Sequence, residues 1–385
     1  MHPIVFHLLL IFFTLSACTP QVNETRSFNI SFSDEIKKIP LIRGGTIMVS
    51  YARIAPFKSY LTYSYNNYTF NRIEVYDFQA DTLLFVAPYE QEGPNGVPKG
   101  NYHLTDNYIT FTGSNEQVLL DFDSKIIKKY PLMNTGNRKY SQADTPYDEY
   151  WLRLASNFRG ISKNFDHQHE RIHLGIIRQD ISSMDKQFFN SPSIIAVIDF
   201  QTDTIQALPI HFPEGFERYQ QFGSRFVPWE LVIPFILAKG DSVIYNFMNS
   251  DDIYVYDMIK KKITGAVKAS SKYTASEVGD LPAGVKNKFT HLYQKNPNFG
   301  HITYDPWRNY YYRIHYAPAR SEEEELKDQL RYFMIMDQHF KVLAEIQLEQ
   351  DCSSTIYGPA PEGVYFKQRN PPSEDTTYFK LLRIE

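Results

Sequence analysis

One short segment returns along this chain and limits what it can fold into. Val75-Tyr76-Asp77-Phe78-Gln79-Ala80-Asp81-Thr82-Leu83 and Val197-Ile198-Asp199-Phe200-Gln201-Thr202-Asp203-Thr204-Ile205 agree, identically or closely in type, at seven of nine positions. The frame recurs as Leu119-Leu120-Asp121 before Lys125-Ile126-Ile127, Val255-Tyr256-Asp257 before Lys261-Lys262-Ile263, and Ile335-Met336-Asp337 before Lys341-Val342-Leu343. A weaker copy is Ser31-Phe32-Ser33-Asp34 before Lys37-Lys38-Ile39. The physics is that of a hairpin. An apolar strand ends at an Asp whose carboxylate accepts from backbone N–H groups two residues on. A polar turn follows, then a second strand that opens on an aliphatic residue.

The Asp residues stand at 34, 77, 121, 199, 257 and 337, so their intervals are 43, 44, 78, 58 and 80. The short intervals match a propeller blade of about 40–50 residues, and the long ones hold a blade plus an insertion. Further strand-like runs precede the copies, at Tyr108–Thr112, Ser242–Phe247 and Asn309–Tyr316. Four antiparallel strands per repeat make a β-propeller blade. Aromatics are 15% of the chain, as strand surfaces favour. The C-terminal segments Gly363–Lys367 and Tyr378–Ile384 lack an outer strand, and Phe28–Leu41 is an outer strand without inner ones. The expected fold is therefore all-β: a six-bladed β-propeller whose N- and C-terminal strands share one blade, a closure that removes exposed edges. A seven-bladed ring and two packed β domains are the rival architectures. One short inserted helix is predicted over residues 321–330, where Ser321 and Glu324 have capping-box spacing.

The N-terminus reads as an address. Ile4–Leu15 is apolar for 12 residues, shorter than the ~20 of a membrane span, and fits the apolar region of a signal peptide. Leu15-Ser16-Ala17-Cys18 follows it and resembles the lipobox of bacterial lipoproteins. That resemblance implies a signal peptide over 1–17, acylation (palmitate) of Cys18, a linker over 18–27 and one propeller domain over 28–385. It places the chain in the bacterial cell envelope on a lipid anchor, with the outer membrane as the expected membrane. An ordinary signal peptide with an incidental Cys is the alternative. The only other cysteine, Cys352, is then left without a disulfide partner and reads as a buried thiol.

Forty Lys+Arg against 44 Asp+Glu give a net charge of −4. That balance excludes a nucleic-acid partner, whose phosphates call for a basic excess. No glycine-rich phosphate loop, nucleophile elbow or paired-cysteine motif is present, so no cofactor and no catalytic residue is expected. In Asp166-His167-Gln168-His169-Glu170-Arg171-Ile172-His173, the residues His167, His169 and His173 would share a face if the run were a strand. Imidazoles suit zinc, but the spacing is a weak metal motif, and an exposed loop entering a strand accounts for it as well. The second candidate is a ligand site in His301–His315, formed by Asp305, Trp307, Tyr311, Arg313 and His315. Tyr311, Arg313 and His315 alternate onto one strand face, and aromatic rings with an Arg suit a sugar or an anion. Packing between blades is the other reading of the same face.

The lipobox, the repeated Asp turn and the Tyr304-Asp305 … Asn309-Tyr310-Tyr311-Tyr312-Arg313 segment together resemble a family of bacterial six-bladed-propeller lipoproteins known only as a domain of unknown function. The resemblance covers nearly the whole mature chain. It implies fold and envelope location and carries no activity. The expected function is non-catalytic binding of an envelope protein or glycan, with attachment to the membrane through the lipid. The alternative is an enzyme acting on envelope glycans or peptides through the central channel.

Overall fold

The structure is a computed structural model. It describes residues 28–40, 60–66, 71–131 and 150–385, apart from breaks at 79, 81, 91–92, 94–95, 98–100, 105–107, 113–115, 152–155, 158–159, 162, 167, 179–182, 224–227, 322–323, 325–327 and 374–375. The segment expected to be a signal peptide, Cys18 and the expected 18–27 linker lie outside the described residues.

The chain is built from antiparallel sheets in sequence order. Strand β1 (Ile30–Pro40) comes first and is used last. The first sheet is β2 (Tyr60–Asn66), β3 (Asn71–Asp77) and β4 (Thr82–Pro88). The second is β5 (Asn101–Leu104), β6 (Ile109–Thr112), β7 (Glu116–Leu120) and β8 (Ile126–Pro131). Short pairs follow, with β9 (Tyr150–Trp151) beside β14 (Ile177–Arg178) and β10 (Ser156–Asn157) beside β11 (Gly160–Ile161). The third sheet is β12 (Lys163–Asp166), β13 (Arg171–Gly175), β15 (Ile195–Asp199) and β16 (Thr204–Leu208). The fourth is β17 (Phe235–Lys239), β18 (Ser242–Asn246), β19 (Asp252–Asp257) and β20 (Lys262–Lys268). The fifth is β21 (Asn298–Asp305), β22 (Tyr310–Tyr316), β23 (Arg331–Met336) and β24 (Val342–Gln347). The last runs β25 (Cys352–Ala360), β26 (Gly363–Gln368), β27 (Thr376–Ile384) and then β1.

This is the β-propeller arrangement, and the closing strand is the expected one. β1 pairs with β27 from Ile30↔Ile384 to Pro40↔Thr376. Five sheets have all four strands where six were expected, and β2–β4 has three strands among the described residues. Ile30–Ile384 forms one compact unit.

The Asp turns work as the sequence predicts. Asp257 Oδ1 accepts from the N–H groups of Ile259 (3.0 Å) and Lys260 (2.8 Å). Asp199 does the same with Gln201 and Thr202, and Asp337 with His339 and Lys341. Each of these turns closes on a residue of positive φ: Lys261 at 51°, Asp203 at 58° and Phe340 at 61°. The residue's cost in that region is offset by the carboxylate bonds. Asp34 departs from the pattern. It sits inside β1 at a bulge between Phe32 and Ile36, where Ser33 Oγ, not Asp34, accepts from Glu35 N–H. With no following strand to turn into, the Lys37-Lys38-Ile39 segment continues the same outer strand.

Sheets meet face to face through apolar side chains, each worth about 1.5–3 kcal/mol when fully buried. Ile73, Val75, Ile109, Phe111 and Val118 join the first two sheets. Leu119, Phe165, Ile172 and Ile198 join the second to the third. Ile244, Ile302, Tyr311 and Met334 join the fourth to the fifth. Phe333 against Phe366 and Phe78 against Tyr365 carry the contact on through the last sheet to the first.

The two ends of the blades differ. At the end opposite the Asp turns, long connections hold two 3₁₀ helices, Lys186–Asn190 and Phe216–Phe222, and the helices α1 (Trp229–Val232) and α2 (Lys288–Lys295). Phe188, Phe212, Phe216, Tyr219, Phe222, Phe247 and Tyr293 bury a second, aromatic core there. The helix predicted over 321–330 is not among the helices: Ser321, Glu324 and 328–330 are bend, turn or irregular. Glu324 bonds the backbone N–H and guanidinium of Arg320 instead of capping from Ser321. Among the described residues no helix is long and apolar enough to cross a membrane.

Candidate functional site at the inner hairpins

The innermost strands β12, β17, β21 and β25 pack side by side. At the Asp-turn end, each connects to its second strand by a short turn, and these turns hold three of the predicted site residues, Asp305, Trp307 and His169. Asp166 and Asp305 turn out to be further copies of the turn device. Asp305 Oδ1 accepts from Trp307 N–H (2.8 Å) and Arg308 N–H (3.2 Å), and Asp166 Oδ1 from Gln168 N–H (3.0 Å). Glu170 (φ 51°) and Asn309 (φ 56°) close these turns as Lys261 and Asp203 close the outer ones.

The histidine cluster is therefore divided. His169 lies in the turn with Nδ1 2.7 Å from Asp166 Oδ2. His173 is on β13, buried, with a pKa that burial holds down at about 4. His167 lies outside the described residues. The expectation that the three share one strand face is corrected: the turn at 168–170 interrupts the strand and separates His169 from His173.

The 305–315 candidates occupy the fifth blade's interfaces with its neighbours. Asp305 is fully buried and binds Tyr312 Oη and Arg308 Nη1 (3.0 Å). Arg308 also donates to the carbonyls of Ala360 (2.9 Å) and Pro361 (2.6 Å) on the next blade. Arg313 points the other way. It is 0% exposed, donates to the carbonyls of Ala269 (2.7 Å) and Asp251 (3.2 Å), and lies over the Phe299 ring. Burial lowers its pKa to about 10, with the charge of Asp251 working against that shift. Arg331 repeats the pattern toward the last blade, donating to the carbonyls of Glu349 and Gln350. Three arginines of one blade thus hold it to both neighbours through main-chain carbonyls.

His315 is also 0% exposed. Its Nε2 lies 2.8 Å from Glu345 Oε1 and 3.0 Å from Ser271 Oγ. Ser, His and Glu meet here, but both oxygens address the same ring nitrogen, whereas a nucleophilic triad needs acid and hydroxyl on opposite nitrogens. Burial lowers the His315 pKa, against the bond and charge of Glu345, which work to raise it. Burial would raise that of Glu345, but bonds from His315, Ser271 and Lys272 N–H outweigh it and hold the carboxyl below its usual range. The face of Tyr311, Arg313 and His315 is thus an inter-blade contact and does not line an open surface.

What stands at the mouth is Lys239, the last residue of β17. Its Nζ is 3.7 Å from the ring centroid of Tyr304 on β21 and 5.0 Å from that of Tyr311, and donates to Tyr311 Oη at 3.1 Å. Lys239 and Tyr304 are half-buried, and Trp307 is partly exposed on the adjoining turn. Burial lowers the Lys239 pKa. Burial, and for Tyr304 the neighbouring Asp305, raises those of Tyr304 and Tyr311. No carboxylate among the described residues pairs with the ammonium. An unneutralised cation framed by aromatic rings suits an anionic or sugar ligand.

A family model described as a domain of unknown function, DUF4221, matches residues 42–347. The chain belongs to the DUF4221 family. A crystal structure of a DUF4221 member from Bacteroides vulgatus superposes with a TM-score of 0.69 at 18% identity, covering 94% of this chain and 99% of that one. A Bacteroides fragilis protein described as exported superposes with a TM-score of 0.51 at 10% identity, covering 95% and 97%. At these identities the likeness concerns the fold. Comparison with curated proteins finds no match.

Sequence reasoning reached Asp305, Trp307 and Tyr311 but missed Lys239. Nothing in Leu237-Ala238-Lys239-Gly240 marks this lysine apart from others before a turn. Its partners come from two strands more than sixty residues away. The cluster Glu349, Asp351 and Cys352 could group three metal ligands. Lys380 already occupies its carboxylates at 2.6 and 2.7 Å, and burial pushes the Cys352 thiol up to about 12.

Proposed function

We propose that this chain is an exported, lipid-anchored binding protein of the bacterial cell envelope. Its propeller takes a glycan at the Asp-turn end of the inner strands, without turning it over. The observation that carries the reading is the Lys239 ammonium framed by Tyr304 and Tyr311 with no carboxylate on it. The half-buried Tyr304 and the partly exposed Trp307 on the adjoining turn would stack on sugar rings, and the ammonium would pair with an acidic sugar's carboxylate. The propeller is read as six-bladed: β2–β4 carries the same outer-hairpin turn, with Asp77 Oδ1 accepting from Ala80 N–H, and contacts both neighbouring sheets. The Leu15-Ser16-Ala17-Cys18 box and the exported description of the Bacteroides fragilis neighbour support the location.

Calorimetric titration with an acidic oligosaccharide, oligogalacturonate, tests the binding. Lys239→Met should weaken it by about 1–3 kcal/mol, the scale of a charged hydrogen bond; an unchanged affinity refutes the site. Cys18→Ser should release the protein from membranes, and a variant that still sediments with them refutes the anchor.

A further inference from the structure

The outer turn of the fourth blade differs from its sisters at the tip. The second residue after the turn's Asp is Gln79, Asp123, Gln201 or His339 in the other copies, and Ile259 in this one. Ile259 is 73% exposed, more than any other large apolar side chain among the described residues. Lys260, Lys261 and Lys262 follow it and are exposed, as is Ile263. Lys260 Nζ lies 2.9 Å from Asp257 Oδ2, while Lys261 and Lys262 have no carboxylate partner among the described residues. We infer that this hairpin is a docking point for a lipid bilayer, with Ile259 entering at headgroup level and the lysines meeting anionic headgroups. The inference goes beyond the glycan mouth and takes from the proposed function only the acyl anchor at Cys18.

The chain's entry into the ring brings the membrane to this end. β27 runs toward the Asp-turn end, where Arg308 Nε donates to the Ile384 carbonyl (3.4 Å), and β1 starts opposite its last residue, Ile30↔Ile384. Asn29 and Glu385 exchange two main-chain bonds of 3.1 Å just beyond. The segment that carries Cys18 therefore joins the ring at the same end as the Ile259 hairpin. Cys18 is ten residues from Phe28, at most about 35 Å even when fully extended. An acyl chain in the bilayer would keep this end close to the lipid. Lysines on the outer strand β20 also keep that edge from pairing with another sheet, but such a role gives no reason for an exposed Ile at the apex. An anionic membrane surface accounts for both. Each lysine near it strengthens association by about fivefold, and an apolar tip gains by leaving water for the acyl boundary. The other outer turns carry Asp81, Asp123 and Asp203 and no run of lysines, so one edge of the ring, not the whole end, would meet the lipid.

The test is flotation of the mature chain carrying Cys18→Ser, so that no acyl chain contributes, with vesicles of phosphatidylcholine alone or of phosphatidylcholine with phosphatidylglycerol at low salt. Partition onto the anionic vesicles should exceed that onto the neutral ones by about tenfold or more. Lys261→Gln combined with Lys262→Gln should remove most of that preference. Ile259→Gln, which installs the residue type of the sister turns, should weaken partition onto the anionic vesicles by about fivefold or more. Tyr273→Ser, at an exposed residue of the opposite end, should change nothing. Flotation of Ile259→Gln and of the lysine variant equal to that of the parent chain overturns the docking. Self-association without vesicles that Ile259→Gln abolishes also overturns it, and assigns the hairpin to a second copy. Ile259→Gln should bind oligogalacturonate as the wild type does, so a failed docking and a failed glycan mouth are told apart. The contact is lost at high salt, so membranes washed in high salt still report on the acyl anchor alone through Cys18→Ser.

Discussion

Lys239 ends the innermost strand of one blade and places its Nζ 3.7 Å above the ring of Tyr304, on the innermost strand of the next. The pair joins two blades at the mouth, and it does so without an ion pair. The neighbouring joints use charge differently: there, Arg308 and Arg313 spend their donors on carbonyls. The Lys239 joint is thus the one among these three whose charge is held by rings and a phenol hydroxyl and not by main-chain carbonyls.

Arg313 is expected to be a stability residue. Arg313→Ala would leave the Asp251 and Ala269 carbonyls without their donor and Asp251 without its nearby cation. Losses of this kind cost ~3–5 kcal/mol. Chemical unfolding should show a large drop in midpoint for Arg313→Ala, while a shift within error would contradict the packing role.

Asp305 and Asp257 use one turn device at different burial. Asp305 is 0% exposed and also binds Tyr312 and Arg308, whereas Asp257 is partly exposed and binds its own turn, Lys260 included. Asp305→Ala should cost ~3 kcal/mol and Asp257→Ala distinctly less. Equal costs in a paired unfolding experiment would mean that the bonds of Asp305 to Tyr312 and Arg308 contribute little.

His173 should make the fold acid-sensitive. Its folded pKa of about 4 lies below the ordinary 6.5, so the unfolded chain binds the proton more readily. Stability from this group is complete above pH 6.5 and is lost as pH falls toward 4. The gap corresponds to ~3 kcal/mol. His173→Gln should flatten the stability profile between pH 6.5 and 4; a profile as steep as that of the wild type would assign the effect to other groups.

Closure can be tested at both of its elements. Removing residues 19–41 takes away β1 and bares the edge of β27, which should produce aggregation. Gly363, at φ +154°, has no room for a side chain, since a methyl there would run into the Leu382 carbonyl oxygen. Gly363→Ala should therefore lower the melting temperature substantially, by ~2–3 kcal/mol of stability. A monomeric, cooperatively folding deletion variant would show that the ring holds without its terminal strand.

The repeat itself was legible because an Asp turn is a local device. Asp199 and Asp257 need only their own next few N–H groups, so a nine-residue window reveals the hairpin, and the hairpins add up to blades. The pairing of Phe28–Leu41 with the C-terminal strand was legible for a related reason, since each segment lacked what the other supplied. The turn role of Asp166 and Asp305 was not read from the sequence, because their turns lie beside His or aromatic residues, whose chemistry is more conspicuous than an Asp bonding its own backbone. The helix expected at 321–330 failed because capping-box spacing depends on which donor reaches Glu324, and Arg320 reaches it.

Side-chain direction on β22 illustrates the division between chain and fold. Alternation alone put Tyr311, Arg313 and His315 on one face. Whether that face meets water or another blade depends on the neighbouring sheet, and here Asp251 and Ala269 beside the fourth sheet cover it. Local hydrogen bonds and strand periodicity act over a few residues and are written in the sequence. The environment of Lys239 arises from strands that meet only when the ring closes, so its desolvation, its rings and its lack of a carboxylate were decided by tertiary packing.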